Sequence, residues 1–341
     1  MKIEFRHEHA TARFRSPDGS SDVDRALEIR FDPLLGYTAR IAPGITLQKA
    51  DAGALEQIQA PDATCPFCGD RIEQVTPQFP LQISPEPRIR IGETVVFPNL
   101  VAYSQYAAVA VFSPQRHWIA VSDFTPELIR DNLAASLRYI RAVHKADATA
   151  QSAAWNINYL WPSGGSLPHP HSQIFLDVTP TTMLRKMESA STQYFDECGR
   201  SYWDELANQE RQLKQRFVGE IGRTVWLTPF APIGFNEVRA VVTDCENVLR
   251  LSEGDGESLA EGIARVLRYY ANLGYNSFNL ALYSGRLGGS PGFRVNLSMI
   301  TRTAMLPYYR TDAMYMERLH WDAAVDKSPE EVAAELRASF V

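Results

Sequence analysis

From Thr94 onward the apolar positions fall into short strand-like runs separated by one long helical stripe, and from Thr224 onward the same succession returns. In the first half, Thr94–Asn99 (TVVFPN) and Ala107–Pro114 (AAVAVFSP) read as strands and about 126–144 as a helix. The strand Trp155–Leu160 (WNINYL), a Gly-Ser loop and the strand Ser172–Val178 (SQIFLDV) follow. In the second half, Thr224–Pro229 (TVWLTP), Asn236–Asp244 (NEVRAVVTD), a helix over about 257–273, SFNLALYSG, the glycine-rich loop RLGGSPG and FRVNLSMI take the same places. Even local words recur, LRYI at Leu137 and LRYY at Leu267. The ordered match is the signature of an internal duplication. Short strands without regular crossovers predict an antiparallel sheet in each half. The expected class is α+β: two tandem repeats, each a sheet with packed helices, dividing the chain at 1–180 and 181–341.

The flanking segments are plainer. Ser16–Asp24 (SPDGSSDVD) reads as a loop, and Glu28–Ile41 as two short strands around Pro33-Leu34-Leu35-Gly36. The prolines of Val75–Arg88 predict irregular backbone. Thr181–Gly219 predicts one or two helices. In the tail, Ser328 is an N-cap candidate with Pro329 at the first helical position.

Composition narrows the function classes. A formal net charge of -6 over 341 residues argues against a general affinity for nucleic acid backbones, though not against a small anionic substrate. Apolar runs such as Ala107–Phe112 are too short to span a bilayer, and the N-terminus lacks a signal-peptide core, so the expected location is the cytoplasm. Of the four cysteines, Cys65 and Cys68 form a CxxC in a proline-rich turn. In a reducing compartment that pairing suggests a metal site or a redox pair.

The chemistry concentrates in Asn158–Gln173, NYLWPSGGSLPHPHSQ. Alternation in an extended chain puts His169, His171 and Gln173 on one side. The loop before them, with Gly164, Gly165 and Ser166, can turn backbone N–H groups toward an anion. An imidazole beside such a cradle can form a phosphoramidate, and the Gln173 amide can bind a phosphate oxygen as charge shifts.

An asparagine, a Gly-Ser loop and His-Pro-His-x-Gln in this order resemble the active-site motif of the galactose-1-phosphate uridylyltransferase family, the transferase branch of the histidine triad superfamily. The resemblance runs from about Glu28 to Phe340 and is most specific at 155–177. It implies that His171 is the nucleophile, with the His169 carbonyl supporting its other ring nitrogen. It implies that Gln173 and Ser166 stabilise the phosphoryl group, and that Asn99, Asn158, Gly164, Gly165 and Arg40 bind nucleotide. It also implies a structural zinc ion held by Cys65, Cys68, His117 and His169. Three departures stand out. Leu100 follows Asn99 where uridylyltransferases carry Asp, resembling relatives that handle adenine nucleotides. Arg294-Val295-Asn296-Leu297-Ser298 has no histidine where some members hold a second metal, so that site is expected to be absent. Ala324 stands where the family places a sugar-contacting glutamine, and Glu317 and His320 nearby read either as sugar contacts or, in preference, as surface helix residues.

The expected reaction is a ping-pong transfer of a nucleoside monophosphate from a nucleotide sugar, through His171, to a sugar 1-phosphate. Inorganic phosphate as acceptor would make the enzyme a phosphorylase of ADP-glucose or a dinucleoside polyphosphate. A reading of another class is a non-catalytic nucleotide-binding module. The resemblance also implies a homodimer.

Overall fold

A computed structural model describes residues 3–50, 55, 64–306, 308 and 310–340. The chain begins with a hairpin of β1 (His7–Arg15) and β2 (Asp22–Phe31), continued antiparallel by β3 (Thr38–Ile41). The turn into β3 follows from Asp32, whose carboxylate accepts the N–H groups of Leu34 (3.0 Å) and Leu35 (2.7 Å). Every residue of β1 is exposed, so no buried face betrays that strand in the sequence, and the segment around Ser16 is the tip of this hairpin rather than an isolated loop.

After the short helix α1 (Arg71–Val75), five strands of the first half follow: β4 (Ile89–Ile91), β5 (Thr94–Pro98), β6 (Tyr106–Val111), β7 (Ser152–Tyr159) and β8 (His171–Asp177). The second half supplies β9 (Phe217–Ile221), β10 (Thr224–Leu227), β11 (Val238–Val242), β12 (Phe278–Tyr283) and β13 (Asn296–Thr301). All ten form one antiparallel sheet in the order β4-β5-β6-β8-β7-β12-β13-β11-β10-β9. Outward from the β7–β12 seam the two halves run in the same order, so the two sheets expected from the sequence are fused edge to edge. A short strand, β14 (Ala323–Val325), pairs parallel to β3 in a separate small sheet.

Helices α2 (Pro126–Ala146) and α5 (Glu253–Asn272) pack against each other and cover one face of the large sheet. Trp155, Ile157, Tyr159, Ile174 and Leu176 are buried beneath them. On the opposite face, α3 (Thr182–Cys198) and α4 (Tyr202–Leu213) cover the second half, where Trp203 and Leu206 pack on Val225, Leu227 and Val241. The CxxC turn covers the outer strands of the first half, with Phe67 on Phe97 and its neighbours. Between these covers, alternation leaves Asn156, Asn158, Gln173 and Asn279 half-buried on the open centre of the sheet. The last helix, α6 (Pro329–Arg337), starts at Ser328 with a full capping box.

One buried polar side chain ties the helical layer to the strands. Asn132 of α2 donates to the Ala110 carbonyl (3.0 Å) and accepts from the Trp155 indole (3.1 Å) and the Ser172 hydroxyl (2.6 Å). It therefore links β6, β7 and β8. Asn132→Ala leaves three buried polar groups unpaired, at about 1 kcal/mol each. The expected loss is about 3 kcal/mol, read from the urea unfolding midpoint.

Candidate active site

The Gly-Ser loop begins with Leu160 at φ +65, a backbone region that costs a branched residue energy. A single 3-10 turn, Trp161–Ser163, and Gly164 at φ +88 reverse the chain. A Cβ on Gly165 would lie 2.9 Å from the carbonyl oxygens of both Asn158 and Leu160, so only glycine fits there. The Gly164 N–H donates to the Trp161 carbonyl (2.9 Å) and the Gly165 N–H to the Leu160 carbonyl (3.1 Å). The turn thus spends on itself the glycine N–H groups that the sequence suggested for an anion. Ser166 stands exposed just beyond it.

The loop delivers His171 to the first position of β8. Its Nδ1–H donates to the His169 carbonyl at 2.8 Å, which leaves the Nε2 lone pair unprotonated. The ring is buried, and burial lowers its pKa below the usual histidine range against the opposing effect of that hydrogen bond. A neutral imidazole with one free nitrogen is the nucleophilic form. Phe67 packs on the ring in a T-shaped contact, with centroids 5.4 Å apart. Phe67 lies inside the CPFC turn, and the sequence reading assigned it no role.

Register places the neighbours. Gln173 lies opposite Val109 on one side and Asn156 on the other, and one further step sets Asn158 level with His171. The Tyr103 hydroxyl donates to Gln173 Oε1 (3.0 Å), turning the Gln173 N–H groups away, without a partner among the described residues. Tyr103 is also a residue that the sequence did not single out. Asn99 extends β5 by one bond to Ala107, and its side chain accepts from the Val101 N–H (3.1 Å). No contact among the described residues brings Arg40 to this cluster: it sits on β3 of the small sheet facing Asp322 (3.5 Å).

Cys65, Cys68, His117 and His169 converge so that their ligand atoms all lie within 4.8 Å of one another. Cys68 Sγ is 3.2 Å from His117 Nδ1 and 3.4 Å from His169 Nδ1, and Cys65 Sγ is 3.5 Å from the latter. Metal bonds of about 2.0 Å to nitrogen and 2.3 Å to sulfur at tetrahedral angles require sulfur–nitrogen separations of about 3.5 Å, so the donor set fits one tetrahedral ion. The other nitrogen of His169 donates to the Ser113 carbonyl (2.9 Å), fixing the ring with Nδ1 inward. Burial pushes His169 down to about 4, the neutral state a ligand needs.

In the second half, Asn296 opens β13 as His171 opens β8, and its amide donates to the Arg294 carbonyl (3.0 Å) in the same two-residue spacing. Arg294 pairs with Asp204 (2.7 Å), and Trp203 of α4 packs on Phe293, so this end of the second half is filled with helix.

No family model matches the chain. An uncharacterized protein of Archaeoglobus fulgidus is 32% identical over 337 residues, covering 98% of each chain. Among solved structures, an ADP-glucose phosphorylase from Arabidopsis thaliana with bound ADP-glucose superposes with a TM-score of 0.70 at 19% identity, covering 91% of this chain and 98% of that one. A uridylyltransferase superposes with a TM-score of 0.65 at 20% identity, covering 91% and 98%. At these identities the likeness is one of fold.

The four-ligand cluster has a direct check. Elemental analysis of the purified chain is expected to find about one thiolate-binding divalent metal per molecule. Cys68→Ser, which removes the sulfur nearest both imidazoles, is expected to lose most of it.

Proposed function

The chain belongs to one family with the Archaeoglobus fulgidus protein and carries the galactose-1-phosphate uridylyltransferase-like histidine triad fold, and from that premise we propose that it is a nucleotidylyltransferase working through His171. The observation that supports this most is the buried, neutral imidazole, tied at Nδ1 and without a partner at Nε2 among the described residues, beside the outward amides of Gln173 and Asn158.

His171 Nε2 attacks the α-phosphorus of a nucleotide sugar. A nitrogen–phosphorus bond forms as the phosphorus–oxygen bond to the departing sugar 1-phosphate breaks. An acceptor oxygen then attacks the nucleotidyl-histidine and restores the free imidazole. Gln173, Asn158 and the exposed Ser166 hydroxyl would donate to the phosphoryl oxygens as charge builds. Cys65, Cys68, His117 and His169 would hold zinc. With four protein ligands its contribution is to fix the turn and the strand end that carry Phe67 and His171. Asn99 would meet the nucleoside. Arg40 would contact the substrate only if the small sheet borders the bound sugar. The reading takes the protein as a cytoplasmic homodimer built from a tandem duplication, its catalytic repeat within 1–180 and the second within 181–341.

Transfer to a sugar 1-phosphate is the first reading. Two observations favour inorganic phosphate as the acceptor. Leu100, exposed beside Asn99, supplies no carboxylate to pair with a uracil, and a fold neighbour is an ADP-glucose phosphorylase. Ala324 is buried in β14, so its position offers no group to a sugar.

Intact mass spectrometry after mixing with ADP-glucose, and separately with UDP-glucose, tests the chemistry. A gain of one nucleoside monophosphate is expected, lost in His171→Ala. Discharge of that adduct by phosphate or by a sugar 1-phosphate then identifies the acceptor. Absence of an adduct with either donor, while nucleotide still binds, would replace the reading with a non-catalytic binding module. Tyr103→Phe frees the Gln173 amide to rotate and is expected to slow adduct formation about tenfold, measured by quenched flow.

A further inference from the structure

A chain of hydrogen bonds from the second half ends on Asn158. Arg302, just beyond β13, grips the Asp312 carboxylate through Nε (2.8 Å) and Nη2 (2.6 Å), and both side chains are mostly buried. Its remaining nitrogen, Nη1, donates to Asn279 Oδ1 at 2.7 Å. Asn279 lies opposite Asn158 across the β7–β12 seam. Its Nδ2 donates to the Ser163 carbonyl (2.9 Å) and to Asn158 Oδ1 (2.7 Å).

The chemistry of the end groups permits only one orientation of these amides. A guanidinium has no acceptor, so Asn279 must turn its oxygen toward Arg302. A backbone carbonyl has no donor, so Asn279 must turn its nitrogen toward Ser163. The second Nδ2 hydrogen then points at Asn158, which must answer with its oxygen. The Asn158 Nδ2 group is left facing away from the seam, without a partner among the described residues and level with His171. Gln173 is held in the same sense by Tyr103. Both amides at the nucleophile therefore present hydrogens and hide oxygens, a surface that selects anionic oxygen over any donor.

We infer that Arg302 and Asn279 are positioning residues that lock Asn158 as a hydrogen-bond donor to a phosphate oxygen of the bound nucleotide. The inference rests on the nucleotidyl-transfer reading of the site. It gives the second half, which lacks the histidine motif, a part in substrate binding.

The test is a double-mutant cycle on the full chain, reading the affinities of AMP and UMP by calorimetry. Asn279→Asp keeps the size and the Arg302 contact but turns a donor into an acceptor, so the Asn158 amide must flip and offer its oxygen to the phosphate. Affinity is expected to fall about tenfold, as for the loss of one hydrogen bond to a charged group. Asn158→Ala is expected to fall by a similar factor, and Asn158→Ala with Asn279→Asp no further than Asn158→Ala alone. If the two losses multiply, or if Asn279→Asp binds like the wild type, the inference is overturned while the transfer reading stands. If the wild type binds neither nucleotide, both fall together. Should Asn279→Asp fail to fold, Arg302→Met is expected to weaken binding. Arg302→Lys, which keeps a donor for Asn279, is expected to retain wild-type affinity, and equal affinities in these two variants would overturn the inference.

Discussion

The hydrogen bond from His171 Nδ1 to the carbonyl two residues earlier is the contact on which the site depends. It decides the tautomer and therefore which nitrogen has a lone pair to offer. Its acceptor belongs to His169, whose own ring is pinned between the Ser113 carbonyl and the two cysteines. Its donor sits at the head of β8, held by β6 on one side and β7 on the other. Asn132 secures all three strands from beneath. Cys/His cluster, strand register and helix anchor thus act on a single ring, and each restrains a different degree of freedom of it.

The second half has the same two-residue device with an asparagine in place of the histidine. Asn296 donates to Arg294 across the spacing that His171 spans to His169, so the strand opening survives as structure. What differs is the cover. A Cβ on Gly292 would lie 2.5 Å from the Ser191 carbonyl, which shows how closely α3 lies on the strand entry. Among the described residues, the first half meets the CxxC turn at the corresponding place, and Asn156, Asn158 and Gln173 stay half-buried at the centre of its sheet. The two halves share one strand order and differ in what is laid over them.

Local chemistry was readable, and long-range assembly was not. The His-Pro-His spacing, the CxxC and the Ser328 cap depend on neighbours within a few residues, where strand alternation and capping rules apply directly. The convergence of Cys65 with His169 was accessible only through the family resemblance, because 104 residues separate them. Fusion of the two sheets escaped the reading because nothing in Trp155–Leu160 names the partner of its second edge. Asn279 and Arg302 escaped for the same reason: they reach Asn158 only across that seam. The Gly-Ser loop was recognised as a turn, but whether its N–H groups face inward or outward depends on φ values such as that of Leu160. The hairpin strand β1 buries no face, so the hydrophobic pattern that reveals other strands is missing from it.

The seam between β7 and β12 also bears on how such a molecule can be divided. A chain holding only the first half would leave the full length of β7 as an edge, with a row of unpaired N–H and C=O groups. Because the seam is antiparallel and relates equivalent strands, a second copy of the same half could close it with its own β7. The fused ten-stranded sheet is therefore the covalent counterpart of a two-fold dimer. Within one chain the two seam strands need not be alike: one carries Asn158 on the His171 side, while the other carries Asn279, which bonds to it.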